Sequence, residues 1–334
     1  MERRKKKKVY LTRKILEPAI SLLSDKYEIY INEYERPPTK KELINIVPDM
    51  DGILCTLSDK IDKQVMRAAG PNLKVISSYS TGFDHIDVQE ATKRGIYVTF
   101  TADILSEATA DLTFSLILAI ARKIVQADKY VREGLWKVGW MPDLFLGSDL
   151  CNKTLGVLGL GKIGSAVACR AKGFKMNIIY HNRNSLNCKM ERKLGARYVG
   201  IDNLMEESDF LSIHASLNKE SFHLINKNKL KKMKSTAYIV NTSRGDIINQ
   251  SHLVYALVNK WIAGAALDTF SAEPLTKFNR LLKLENVILL PHIGSATYET
   301  RTKMSEIAAR NLINVLEGKD PIYLVNPQVK TSNR

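Results

Sequence analysis

Residues 154–164 read TLGVLGLGKIG, and this stretch decides the fold. A strand-like apolar run leads into Gly159-x-Gly161-x-x-Gly164, and a helix-like segment, 162–172, follows. This order of strand, glycine-rich turn and helix is typical of a dinucleotide-binding unit. Gly159 would permit the tight turn, Gly161 a close approach of backbone to a pyrophosphate, and Gly164 close packing of helix on strand. We therefore predict that the cofactor is bound by Gly159, Gly161, Lys162, Ile163 and Gly164.

The end of the next predicted strand bears on the choice of cofactor. An NAD enzyme places an acidic residue about 20 residues past the motif, where it binds the ribose 2′-hydroxyl. This sequence instead has His181-Asn182-Arg183-Asn184. The guanidinium of Arg183 suits a 2′-phosphate by its charge and its planar shape. We predict that Asn182 and Arg183 bind the cofactor and that NADP(H) is preferred, with NAD(H) possible. The alternative is that Arg183 only stacks on the adenine.

Short apolar runs alternate with helix-like segments along the whole chain. This alternation predicts an α/β fold with doubly wound parallel sheets, and 334 residues suit two domains. A single long helix is predicted over 103–133, as a buried connector, and another over 296–317. The predicted strands lie near 8–12, 28–32, 52–56, 75–78, 96–99, 154–160, 176–181, 196–199, 209–214, 236–241, 263–268 and 286–290.

Composition excludes several classes of protein. No apolar run approaches the roughly 20 residues that span a bilayer, and the N-terminus lacks the apolar region of a signal peptide. We therefore expect a cytoplasmic protein with no membrane partner. The four cysteines are scattered without the spacing of a zinc site, which predicts reduced thiols and no bound metal.

The formal net charge of +15 raises the question of nucleic-acid binding. Outside the basic run at residues 2–8, the charges are spread along helices without interleaved aromatic residues. The same positive field would attract a carboxylate substrate and a polyphosphate cofactor. We expect no nucleic-acid partner and interpret the basic run as a solvated tail before the first strand. The alternative is that residues 2–8 bind nucleic acid, in which case binding would be sensitive to salt and would be lost without these residues.

Polar residues suited to chemistry on a keto acid follow three of the later strands. Arg244 could hold the substrate carboxylate and polarise the carbonyl, because its planar fork matches such groups. His292 could donate the proton to the carbonyl oxygen while a hydride arrives at the carbon. Glu273 could accept a hydrogen bond from the other ring nitrogen and favour the protonated imidazole. His214 also ends a strand, so it remains a rival to His292.

The motifs that carry these residues resemble those of a known family. VNTSRG at 240–245, GAALDTFSAEP at 264–274 and PHIGSAT at 291–297 are similar to signatures of the D-isomer-specific 2-hydroxyacid dehydrogenases. STGFDHID at 80–87 and EATADLTFSLILA at 107–119 extend the likeness over most of the chain. Within the family, the sequence most resembles the glyoxylate reductase/hydroxypyruvate reductase branch.

The resemblance implies an activity, a quaternary structure and a division into domains. The activity would be reduction of glyoxylate or hydroxypyruvate to glycolate or D-glycerate, with His292 as general acid. A homodimer is expected, in which Trp140 reaches the neighbouring active site. A flavodoxin-like substrate domain would comprise 1–102 and 295–334, and a Rossmann dinucleotide-binding domain 103–294. The alternatives are another short D-2-hydroxyacid dehydrogenase and a corepressor-like scaffold that binds dinucleotide.

The resemblance also implies roles for individual residues. Arg244, Glu273 and His292 would form the catalytic triad. Asp268 would contact the nicotinamide carboxamide, Thr109 would lie near the nicotinamide, and Thr242 would bind the cofactor. Besides Arg244 and Trp140, the implied substrate-binding residues are Leu57, Ser58, Thr81 and Gly82.

Overall fold

The structure is a computed structural model that describes residues 6–332. The first five residues lie outside the described residues, so only Lys6, Lys7 and Lys8 of the basic N-terminal run are described, and Lys8 begins the first strand. The protein consists of two compact units. The first unit runs to Leu105 and resumes at Ala296, and the second unit comprises Ser106–Ser295. No helix within residues 6–332 is both long enough and apolar enough to cross a membrane.

Strands and helices alternate through both units. The strands are β1 Lys8–Leu11, β2 Glu28–Ile31, β3 Gly52–Cys55, β4 Val75–Ser78, β5 Tyr97–Thr99, β6 Thr154–Leu158, β7 Asn177–His181, β8 Ala196–Tyr198, β9 Phe210–Ile213, β10 Tyr238–Asn241, β11 Gly264–Leu267 and β12 Val287–Leu289. The α-helices are α1 Ala19–Ser24, α2 Lys40–Ile46, α3 Lys63–Ala69, α4 Val88–Lys93, α5 Ser106–Ala121, α6 Ile124–Arg132, α7 Lys162–Gly173, α8 Cys188–Leu194, α9 Ile201–Glu207, α10 Lys227–Leu230, α11 Gln250–Val258, α12 Tyr298–Leu316 and α13 Val329–Ser332.

The first unit contains a parallel sheet of five strands in the order β2-β1-β3-β4-β5. This is the flavodoxin-like order of a doubly wound sheet. Val9, Leu54 and Val75 pack on one face against α12, which contributes Ala308 and Leu312. A second apolar cluster, from α2, α3 and the strands, covers the opposite face.

The second unit contains a parallel sheet of seven strands in the order β12-β11-β10-β9-β6-β7-β8. Six of them follow the Rossmann order, and β12 extends the sheet beyond β11. The order reverses between β6 and β9, where ligands of open α/β sheets bind beyond the carboxyl ends of the strands. The predicted fold class, two doubly wound parallel sheets, is confirmed.

The predicted strands of the first unit match the observed ones to within one residue at each end. For β1 and β3 the reason is burial, because a strand buried on both faces of a parallel sheet has a nearly continuous apolar sequence, whereas the edge strand β2 has no buried residue. β3, for example, is buried along its whole length.

The prediction of one long buried helix over 103–133 was wrong. The protein forms α5 and α6, separated at Lys123, whose φ of 53° lies in the left-handed region and ends the first helix. α5 is buried along much of its length, whereas α6 has no buried residue. Neither glycine nor proline marks the break in the sequence.

Candidate active site

Three neighbouring strands of the second unit end level with one another. Asn241 of β10 pairs with Leu267 of β11, and Leu267 pairs with Leu289 of β12. Because the strands are parallel, the loops that follow them leave from the same edge of the sheet. The three predicted catalytic residues lie on these loops.

Asn241 shapes the loop that carries Arg244. Its side-chain amide donates to the backbone oxygen of Arg244 at 2.9 Å, and its carbonyl accepts from the backbone N–H and the hydroxyl of Ser243 at 3.0 and 2.9 Å. Gly245 follows, and a Cβ there would lie 1.9 Å from the carbonyl carbon of Phe270. Only glycine therefore lets this loop pack so closely on the loop that leads to Glu273.

Glu273 and His292 form a hydrogen-bonded pair. His292 Nδ1 lies 2.8 Å from Glu273 Oε2, and the backbone N–H of Phe270 donates to Glu273 Oε1 at 2.9 Å. Burial alone would raise the pKa of Glu273, but the hydrogen bond from His292 and the charges of His292 and Arg244 outweigh it and lower the pKa. The carboxylate is thus ionised at neutral pH, and His292 Nδ1 must carry the hydrogen, which leaves Nε2 for a substrate.

The backbone of His292 has a left-handed conformation, with φ of 56°. Such a conformation costs a non-glycine residue on the order of 1 kcal/mol or more, so its surroundings must hold it. The fully buried carboxylate of Asp268 does this by accepting the N–H groups of Ile293 and Gly294 at 2.7 and 2.8 Å. Burial raises the pKa of Asp268, although the N–H of Ile293 opposes the shift. Sequence reasoning missed this backbone role.

A series of buried hydroxyls connects α5 to these loops. Thr113 Oγ1 donates to the backbone oxygen of Thr109 at 2.7 Å, so Thr242 Oγ1 is the donor in its 2.7 Å contact with Thr113 Oγ1. Thr109 in turn donates to the backbone oxygen of Gly294 at 3.2 Å. The predicted cofactor residues Thr109 and Thr242 are therefore joined through Thr113.

The glycine-rich turn fits a bound pyrophosphate. Gly159 has φ of 96°, and a Cβ on Gly164 would lie 2.3 Å from the backbone oxygen of Gly159, so both glycines are required by the protein itself. A Cβ on Gly161 would meet no protein atom within 4 Å. The turn is open at this position, and Lys162 and Ile163 begin α7, whose N-terminal N–H groups favour an anion.

Asn182 and Arg183 lie beyond β7, beside this turn. Asn182 Oδ1 accepts the backbone N–H of Leu160 at 2.6 Å. Arg183 forms an ion pair with Glu220, at 2.9 Å between Nη2 and Oε2, and both side chains are exposed. Glu220 supplies a carboxylate from a distant loop after β9. Because the pairing is not local, no signal in the sequence points to it.

His214 is a poor candidate for the proton donor. Its Nε2 lies 2.7 Å from the hydroxyl of Ser212, and its buried Nδ1 has no hydrogen-bond partner among the described residues. Burial lowers the pKa of His214 to about 3. The ring is therefore neutral at physiological pH, which disfavours His214 as the proton donor.

The predicted substrate residues of the first unit lie on two adjacent loops. Leu57 and Ser58 follow β3 and are exposed, and Thr81 and Gly82 follow β4. β3 and β4 pair in parallel, so the two loops leave from the same edge of the sheet. The backbone N–H of Gly82 donates to the hydroxyl of Ser80 at 3.1 Å.

Trp140 lies in the segment between α6 and β6 and is 86% exposed. The same segment exposes other large apolar side chains, and so does α6. These are Ile124, Val125, Val131, Leu135, Trp136, Val138, Met141 and Leu146. Within residues 6–332, no cluster of three or more histidine, cysteine or acidic side chains could hold a metal ion.

Comparison with known proteins decides the family. A model of the D-isomer specific 2-hydroxyacid dehydrogenase NAD-binding domain matches residues 114–294. A glyoxylate reductase of Korarchaeum cryptofilum is 48% identical over 324 residues, which cover 97% of each chain. The chain belongs to the D-isomer specific 2-hydroxyacid dehydrogenases. The resemblance in the sequence is thereby confirmed.

Solved structures of this family have the same fold. An NADPH-dependent glyoxylate/hydroxypyruvate reductase from Sinorhizobium meliloti, in complex with NADP and malonate, matches with a TM-score of 0.85 and 30% identity, over 97% of this chain and 98% of that one. A glyoxylate reductase from Paecilomyes thermophila has a TM-score of 0.85 and 32% identity, over 97% and 99%.

Proposed function

We propose that this family member reduces glyoxylate or hydroxypyruvate to glycolate or D-glycerate with a reduced nicotinamide dinucleotide. The observation that carries the proposal is the 2.8 Å contact between Glu273 and His292, on loops that leave the same sheet edge as the loop of Arg244. Relatives named glyoxylate reductase at 48% identity support the choice of substrate.

The roles of the residues follow from their chemistry. The bound nicotinamide supplies a hydride to the carbonyl carbon. Arg244 holds the substrate carboxylate and polarises the carbonyl, and His292 Nε2–H donates the proton to the carbonyl oxygen. Glu273 fixes the orientation of the ring and stabilises its protonated form. Leu57, Ser58, Thr81 and Gly82 are proposed substrate contacts of the first unit.

For the cofactor, we propose binding at the glycine-rich turn and a preference for NADP(H) over NAD(H). The open space at Gly161, the start of α7 and the absence of an acidic residue at the end of β7 support this. The exposed guanidinium of Arg183 would exchange Glu220 for the 2′-phosphate. Asp268, Thr109 and Thr242 remain the proposed residues near the nicotinamide.

We also propose a homodimer in the cytoplasm. α6 buries none of its residues within the single chain, and the segment after it exposes Trp136 and Trp140. So much exposed apolar surface in one region favours a partner, and a second copy would cover it. Sedimentation equilibrium should give twice the mass of one protomer, and Trp140→Ala should lower kcat/KM for glyoxylate. A monomer at micromolar concentration would refute the proposal.

The first experiment follows the oxidation of NADPH and of NADH with glyoxylate, side by side. Turnover with a higher kcat/KM for NADPH is expected, and Arg183→Ala should reduce that preference. A preference for NADH would be consistent with the reductase activity but would contradict the proposed role of Arg183 in binding the 2′-phosphate. Absence of turnover with glyoxylate, hydroxypyruvate or larger 2-keto acids would contradict the enzymatic activity and favour a corepressor-like scaffold that binds dinucleotide.

The role of His292 has a matched control in the same unit. His292→Gln should lower kcat/KM by about 10²- to 10⁴-fold, as loss of a general acid does. His252 lies on α11, where its ring accepts the backbone N–H of Lys227, so His252→Gln should leave turnover unchanged. Equal activity of the two variants would contradict the assignment.

A further inference from the structure

The first unit contains a cavity of about 360 Å³ at the carboxyl end of its sheet. Its lining comes from the loop after β1, the ends of β3 and β4, and the start of α12. We call this cavity the basic pocket, and its lining residues are Arg13, Lys14, Ile15, Leu16, Thr56, Tyr79, Ala296, Thr297, Tyr298 and Arg301.

Three cationic side chains line the basic pocket without acidic partners. Among the described residues, no carboxylate forms an ion pair with Arg13, Lys14 or Arg301. The nearby acid Asp59 is buried, and it accepts hydrogen bonds from the hydroxyl of Thr12 and from Thr56 instead. Since Arg13, Lys14 and Arg301 line one pocket and form no ion pair there with a described residue, an anion bound in the pocket would be stabilised by their positive charges.

The remaining walls suit an organic anion. α12 begins at the pocket, and the positive end of its dipole adds to the attraction for an anion. Tyr79 is fixed by donating its hydroxyl to the backbone oxygen of Arg301 at 2.9 Å, and its ring, with Ile15, provides apolar surface. A volume of about 360 Å³ is in the range of sites for small organic ligands and exceeds what a bare ion needs.

We propose that the basic pocket is a second anion-binding site, which takes a phosphate or carboxylate group carried by a small organic molecule. Arg13 and Arg301 bind the oxygens with their planar donor groups, and Lys14 adds a point charge. The pocket uses residues of the first unit only, so the proposal does not depend on the proposed function. Thr56 and Tyr79 directly precede the loops of Leu57 and Thr81, which places the site next to the proposed substrate contacts.

Phosphate titration of the full-length protein tests the site. Inorganic phosphate is titrated calorimetrically at constant ionic strength, and only the binding that the pocket variant loses is assigned to the pocket. Arg13→Gln/Arg301→Gln should weaken binding by about tenfold or more, since each charged hydrogen bond is worth about 1.5–3 kcal/mol. Lys41→Gln, which removes an exposed charge of α2 away from the pocket, should bind as the wild type does. Identical isotherms for all three proteins would overturn the proposal.

A charge-conserving double variant distinguishes a loss of charge from a loss of folding. Arg13→Lys/Arg301→Lys keeps both charges and should recover much of the phosphate affinity that the glutamine variant loses. If both double variants melt like the wild type and the lysine variant binds no better than the glutamine variant, charge does not govern binding, and the proposal fails.

Kinetics then identify the source of the anionic group, and only this step rests on the proposed function. The ratio of kcat/KM for 2-oxoglutarate to that for glyoxylate is compared between wild type and Arg13→Gln/Arg301→Gln. A ratio that falls by about tenfold assigns the pocket to a second carboxylate of the substrate. An unchanged ratio, with phosphate binding lost, assigns it to a separate anion. Absence of turnover would reject the proposed function, while the phosphate titration still decides the pocket.

Discussion

Gly161→Ala tests whether Gly161 is required for cofactor binding and not for folding. Gly164→Ala, at a glycine that the fold requires, is its control. The backbone of Gly161 has φ of −85° and ψ of −153°, which an L-residue can adopt, and an added Cβ meets no protein atom within 4 Å. The smaller entropy of the unfolded alanine variant stabilises by about 0.4–1 kcal/mol, and loss of the better N-cap residue costs about 0.5–1 kcal/mol. These effects nearly cancel. The free energy of unfolding should therefore change by less than about 1 kcal/mol.

The effect on the cofactor should be much larger. The open space at Gly161 is where the pyrophosphate would approach the N–H groups of α7, and a methyl group would hold it away. Loss of one charge-assisted hydrogen bond costs about 1.5–3 kcal/mol, so the Kd for NADPH should rise about 10- to 150-fold. Fluorescence titration with NADPH gives the Kd, and thermal melting gives the stability.

Gly164→Ala is the control, three residues away. Its Cβ would lie 2.3 Å from the backbone oxygen of Gly159, so this variant should lose about 1–3 kcal/mol of folding stability. Wild-type NADPH affinity in a stable Gly161→Ala protein would refute the role of this turn. A marked fall in the melting temperature of Gly161→Ala would show that its space is not open.

Other changes test the site and its packing. Glu273→Gln replaces a carboxylate, whose pKa the contact with His292 lowers, by a neutral amide, so kcat/KM for glyoxylate should fall by about tenfold or more because a charge-assisted hydrogen bond to the His292 ring is lost; an unchanged kcat/KM would contradict the pairing. Glu220→Gln frees Arg183 from an exposed ion pair, so NADPH should bind about two- to fivefold more tightly, whereas unchanged NADPH affinity would show that Arg183 does not read the phosphate. Gly245→Ala places a Cβ 1.9 Å from backbone, so denaturant unfolding should reveal a loss of about 3 kcal/mol or more, and wild-type stability would mean that the loop can move aside.

The strands could be predicted because their signal is local. Residues 52–55 and 75–78 are each buried throughout, and continuous burial demands a continuous run of residues that suit it. The break at Lys123 could not be predicted, since lysine is a good helix former and only the packed protein shows its left-handed backbone.

The same distinction holds for the site. The residue types after β10, β11 and β12 pointed to Arg244, Glu273 and His292 because each motif is contiguous in the sequence. The partners Glu220 and Asp268 act across long sequence separations, on Arg183 and on the backbone after His292. Nothing in a single sequence specifies such pairings before the protein is folded.

The divided first unit affects the order in which the protein can fold during synthesis. Every residue of the second unit has been made once Ser295 is added, whereas the first unit still lacks α12. Until then, the sheet face formed by Val9, Leu54 and Val75 lacks α12 and is covered only in part, by Ala19 and Leu23 of α1. The nascent polypeptide thus carries a partly exposed apolar face through nearly two hundred residues of translation, during which chaperones can bind it and aggregation can begin. A truncated protein that ends near Ser295 should consequently contain a folded second unit beside an incomplete first one.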